Sequence, residues 1–77
     1  MEIKEFIQNF ADQFDDTALS LFTPQTHFHE LEEWSSLIAL SIIAMIDEEY
    51  EVTVKGDDMK NAVTIQDLFE NVKAKLG

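Results

Sequence analysis

The sequence predicts an all-α domain of three principal helices and one short helix, with a long loop between the first two. Three observations carry that expectation. Residues near both ends place apolar side chains at helical spacing, and Leu37 to Ile46 is apolar at every position except Ser41. The one alternating stretch, Glu51-Val52-Thr53-Val54, has no second stretch to pair with, and a lone strand is not stable by itself.

The first helix rests on Ile3, Phe6, Ile7, Phe10, Ala11 and Phe14, which form a single stripe with Glu2, Glu5, Gln8, Asn9, Asp12 and Gln13 outside it. It is expected to stop near Asp15-Asp16-Thr17, where short polar side chains compete for backbone hydrogen bonds. From Thr17 to Trp34 no period is sustained, and Pro24 pushes Thr23 toward an extended conformation. A loop this long needs anchors, and Leu19, Leu21, Phe22, Phe28 and Leu31 are the candidates, with a short helical turn expected around Thr17–Phe22.

Ser35 or Ser36 is a good cap for the second helix. Ala39, Ile42, Ile43, Ile46 and Tyr50 share its core face, whereas Leu37, Leu40, Ser41, Ala44, Asp47 and Glu48 share the opposite one. So small a domain seldom buries a helix all round, so the second face is expected to stay partly exposed as a docking surface, unless the preceding loop covers it. Residues 51–54 then read as an extended connector with Val52 and Val54 turned inward, and Asp58-Met59-Lys60-Asn61 as one helical turn. Thr64 and Asp67 form a capping box for the last helix, whose core stripe is Ile65, Leu68, Phe69, Val72 and Leu76. Lys73 and Lys75 suit its C-terminal dipole, and Gly77 is expected to end it.

Composition narrows the function. Seventy-seven residues make a single domain, expected to span 1–77, and with no cysteine it must be held by packing alone. The N-terminus lacks the pattern of a signal peptide, and no apolar run approaches the ~20 residues of a bilayer span, so a soluble cytoplasmic protein is expected. Sixteen acids against five lysines and no arginine give a net charge of −11. Residues 1–50 hold eleven of those acids and one lysine. Such a surface repels nucleic acid and steers the chain toward basic patches on other proteins.

Few residues suggest chemistry. His27 and His29 with Glu30 lack further spaced ligands, so no metal site is expected, and Asp57-Asp58 lacks the pattern of a calcium loop. No nucleophile has a His and an acid at a recognisable spacing, and two glycines cannot build a phosphate loop, so no enzyme is expected. Trp34 reads as a packing residue. Ser36 stands out, because a hydroxyl in the first turn of a helix lies beside free N–H groups and can hold a phosphodiester without any basic side chain. The residues alone leave open that Ser35 and Ser36 are only caps.

In this setting the chain resembles the acyl carrier proteins. That family opens its second helix on Asp-Ser-Leu; here stand Ser35-Ser36-Leu37, then Ile42-Ile43-Ala44-Met45-Ile46-Asp47-Glu48-Glu49-Tyr50, Val52-Thr53-Val54 and Thr64-Ile65-Gln66-Asp67-Leu68. The similarity runs over the whole chain and is strongest from Pro24 to Val72. It implies a small up-and-down helical bundle, monomeric, with 4'-phosphopantetheine transferred from coenzyme A to Ser36 by a phosphopantetheinyl transferase. It also implies a carrier that performs no chemistry itself, delivering thioester-bound acyl groups to acyl-transferring and ketosynthase-type enzymes with basic docking patches. Leu37, Leu40, Ser41, Ala44, Asp47 and Glu48 would meet those partners.

The chain departs from the family in having Ser35 for Asp, and Ile38 and Ser41 at commonly acidic positions, with Glu32 and Glu33 as partial replacements. A specialised carrier in fatty-acid, polyketide or modified-lipid biosynthesis is therefore expected rather than the housekeeping one. The alternatives are an acidic helical adaptor that is never modified and a peptidyl or aminoacyl carrier, although the latter's Gly-Gly-x-Ser-Leu motif is missing.

Overall fold

On the first helix, Phe6 and Phe10 are fully buried one turn apart, and the rest of the molecule is assembled around them. The structure is a computed structural model describing residues 2–76. Its helices are α1 (Ile3–Ala11), α2 (Ser36–Tyr50), α3 (Gly56–Asn61) and α4 (Ile65–Leu76). Among the described residues there is no strand, and no helix is long and apolar enough to cross a membrane. The all-α expectation holds. α1 packs on both α2 and α4, and α3 packs on α4.

The stripe of α1 extends past the helix itself. Gln13 and Phe14 donate to the carbonyls of Phe10 and Ala11, a tightening to three-residue spacing that keeps Phe14 on the core side after the α-helix has ended. Phe14 is buried there.

The long loop is anchored by aromatics and by backbone bonds, and less by leucines than the sequence suggested. It contains two 3-10 turns, Leu19–Leu21 and Phe28–Glu30. Phe22 and Phe28 are buried: the ring centroids of Phe14 and Phe22 lie 5.0 Å apart and those of Phe10 and Phe28 5.4 Å apart. Leu31 is half-buried against this cluster. Leu19 and Leu21, expected as anchors, are 57% and 55% exposed. The Phe side chains fill the space beneath the loop, and polar bonds hold it without them. Thr26 and Pro24 accept through their carbonyls from the N–H groups of Ile65 and Gln66, so the loop satisfies the free donors that open α4.

The remaining elements follow their caps. Val52 and Val54 are buried on the extended connector, as expected. α3 begins two residues before the expected turn because Asp58 reaches back to accept from the Lys55 N–H at 3.0 Å. The Thr64–Asp67 capping box is reciprocal: the Asp67 carboxylate accepts from the Thr64 N–H and the Thr64 hydroxyl from the Asp67 N–H. Ile65, Leu68, Phe69 and Val72 are buried, but Leu76 is half exposed, since the last turn of α4 has run beyond the core. The expected stop at Gly77 lies outside the described residues.

Candidate functional site

The start of α2 is fixed from both sides. Trp34 is half-buried, its ring centroid 5.0 Å from that of Phe28 and 5.3 Å from that of His29, the latter nearly perpendicular. His29 in turn donates to the Met59 carbonyl at 2.9 Å, tying the loop to α3. On the other side, Glu33 closes a clamp: its carboxylate accepts from the Asp15 N–H at 2.7 Å, the Asp16 N–H at 3.0 Å and the Thr17 hydroxyl at 2.7 Å. The Thr17 hydroxyl, then the Asp15 amide, hold the Glu33 carboxyl below the usual carboxylate range. The segment from Glu33 to Trp34 therefore delivers the following serines in one position.

The two serines divide the work. Ser35 is extended (φ −157°, ψ 170°) and its hydroxyl accepts from the Ile38 N–H at 3.2 Å, so Ser35 is the cap. Ser36 is the first helical residue, is exposed, and leaves the capping bond to its neighbour. The Ala39 N–H bonds to the Ser35 carbonyl, whereas no acceptor among the described residues meets the Ser36 and Leu37 N–H groups. At α4 the loop occupies the corresponding donors; at α2 they stay available next to an exposed hydroxyl. An anionic phosphodiester on Ser36 fits this arrangement.

Below Ser36 runs the face expected to dock. Leu37 is 74% exposed and Leu40 62% exposed, so the loop does not cover them. Ala44, Asp47 and Glu48 are also exposed, and Ser41 is half-buried. The opposite face carries Ile42, Met45 and Ile46 in the core, with Ala39, Ile43 and Tyr50 packed partly against it. Ile38, one of the departures, leans on that core. α2 ends at Glu51, which takes the left-handed conformation (φ 55°, ψ 39°) and donates its N–H to Asp47.

Other candidates are structural. His27 Nδ1 lies 3.2 Å from Glu30, and His29 is the strap just described. Among the described residues no three His, Cys, Asp or Glu side chains are grouped to hold a metal ion. Sequence reasoning missed the Glu33 clamp, whose partners lie 16 to 18 residues away, and placed Glu33 instead with the docking acids. It also missed the bond from the Asn9 amide to the Tyr50 hydroxyl, 2.9 Å long, which joins α1 to the end of α2.

A family model described as a phosphopantetheine attachment site matches residues 4–72. Neither the curated proteins nor the solved structures gave a significant match.

Proposed function

Because the chain belongs to the phosphopantetheine attachment family, whose domain is the site of covalent 4'-phosphopantetheine attachment, we propose that it is an acyl carrier protein loaded at Ser36. The observation that carries this is the division of labour at the start of α2. Ser35 caps the helix, leaving the Ser36 hydroxyl exposed beside N–H groups that can receive a phosphate.

Loading consumes coenzyme A. The Ser36 oxygen displaces the adenosine bisphosphate moiety at phosphorus, one P–O bond forms as another breaks, and the serine proton leaves to a base on the transferase. The arm supplies a thiol that holds an acyl group as a thioester. The rest falls to the chain's own residues: residues 33–35 hold Ser36 in place, and the α2 face from Leu37 to Glu48 engages the partner. Docking through that face would raise the concentration of cargo at the partner's site. The chain then acts as a carrier and not as a catalyst, in one domain over residues 1–77.

Two features favour a specialised carrier. Ile38 is committed to the core and Glu33 to its clamp, so the acidic part of the docking face lies at the far end of α2, in Asp47 and Glu48. Partners with basic patches spaced to meet that end are the expected ones, within fatty-acid, polyketide or modified-lipid biosynthesis.

The test is intact mass after incubation with coenzyme A and a promiscuous phosphopantetheinyl transferase, with fragmentation to locate the addition. One phosphopantetheinyl group on Ser36 is expected, and none on Ser36→Ala. Absence of loading with that enzyme and with transferases of the native host would overturn the reading in favour of an unmodified adaptor.

A further inference from the structure

A second surface lies away from the α2 face. Between the turn that follows α1 and the segment leading into α2 is an open groove of about 550 Å³. Ala18, Leu21 and Leu31 give it an apolar lining, and Asp16, Glu32 and Glu33 line it with carboxylates. Leu21 is 55% exposed, which costs apolar surface in water with no gain to the core, because Phe14, Phe22 and Phe28 already fill the space beneath. The groove is also held open: the Glu33 clamp fixes one wall, and the Thr26 hydroxyl, donating to the Leu21 carbonyl at 2.7 Å, fixes the turn bearing the other.

The charge around the groove selects the occupant. No lysine or arginine occurs between Lys4 and Lys55, and Glu33 is already engaged by its clamp, so it is Asp16 and Glu32 that no cation of the surrounding segment answers. A second copy of the chain would bring its own acids against them, since the net charge is −11. An alkyl chain would gain nothing from the carboxylates that line the groove. A leucine-like side chain against Leu21 and Leu31 with lysine or arginine on either side satisfies both parts of the site.

We propose that this groove is a docking site for a basic amphipathic segment of a partner protein. It is separate from the α2 face and independent of whether Ser36 carries an arm. Two surfaces on different elements would let a partner hold the domain by the loop while the α2 face stays free.

The experiment uses the full chain, isotopically labelled, titrated with a twelve-residue peptide of alternating leucine and lysine and followed by amide shifts. Saturable shifts are expected at Ala18, Leu21, Leu31 and Glu32. Leu21→Ser should weaken binding by about tenfold, the loss of one apolar anchor, and Leu40→Ser should leave it unchanged. Asp16→Asn with Glu32→Gln should weaken binding and flatten its salt dependence. Shifts confined to α2, no saturable shift, unchanged affinity in Leu21→Ser, or equal binding of a leucine–glutamate peptide would each overturn the proposal.

Discussion

At the scale of single residues, Ser35 and Ser36 look interchangeable in the sequence and are not. Either suits the cap by residue type, so the sequence left both open; the extended backbone of Ser35 decides it, because only that conformation turns the hydroxyl onto the Ile38 N–H. Separable consequences follow. Ser35→Ala removes a cap and should cost about 1 kcal/mol, lowering the melting temperature by roughly 4–8 °C for a domain of this size. Loading at Ser36 should persist. Ser36→Ala should show the reverse, full stability and no loading, and thermal melts paired with intact mass would read both. Equal destabilisation by the two variants would mean that the serines share the cap.

At the scale of elements, α2 presents one buried face and one exposed face. Ile42 is fully buried, so Ile42→Ala should cost about 2–5 kcal/mol, a large share of what holds so small a domain. Leu40 is 62% exposed, and Leu40→Glu should leave the urea midpoint nearly unchanged while weakening capture by an acyl-handling enzyme. A large loss of stability in Leu40→Glu would place Leu40 in the core. The two faces were legible in the main because helical period reports burial, although Met45 and Ile38, assigned to neither face, also pack inward; the capping box of α4 was legible because its partners lie three residues apart. The loop was not. Leu19 and Leu21 have the composition of anchors, but whether a leucine points inward depends on which side chains already fill the space, here Phe14, Phe22 and Phe28. Leu76 misled for a similar reason: its period is right, but the core ends before it does. The Glu33 clamp had no signal at all, since nothing in residues 15–17 marks them as partners of residue 33.

At the scale of the whole molecule, two carboxylates join segments that the strongly acidic surface would otherwise push apart, and a third caps a helix. Glu33 ties the turn that follows α1, residues 15–17, to the start of α2. Asp58 accepts from the Lys55 N–H and from Asn71, with Lys75 3.5 Å away, and so joins α3 to α4; Asp67 closes the cap of α4. All three are held below the usual carboxylate range, Glu33 chiefly by the Thr17 hydroxyl, Asp58 by the Lys55 amide and Asp67 by the Thr64 amide. A carboxyl lowered by folding stabilises fully above its unfolded value, about 4, and loses that contribution as pH falls through the lower folded value. Protonation also relieves the repulsion of a chain at −11, which acts in the opposite direction. Exposed charges 4 Å apart interact by only about 1 kcal/mol in water and are screened further apart, and much of that repulsion persists in the unfolded chain. The clamps are direct bonds of 2.7–3.2 Å that exist only in the fold, so they should prevail. Stability should therefore begin to fall below about pH 5, and Glu33→Gln, less stable at pH 7, should show a shallower acid limb. Urea unfolding from pH 7 to pH 3 at low and high salt would check this, and stability that rose steadily toward pH 3 would show that relief of repulsion outweighs the clamps.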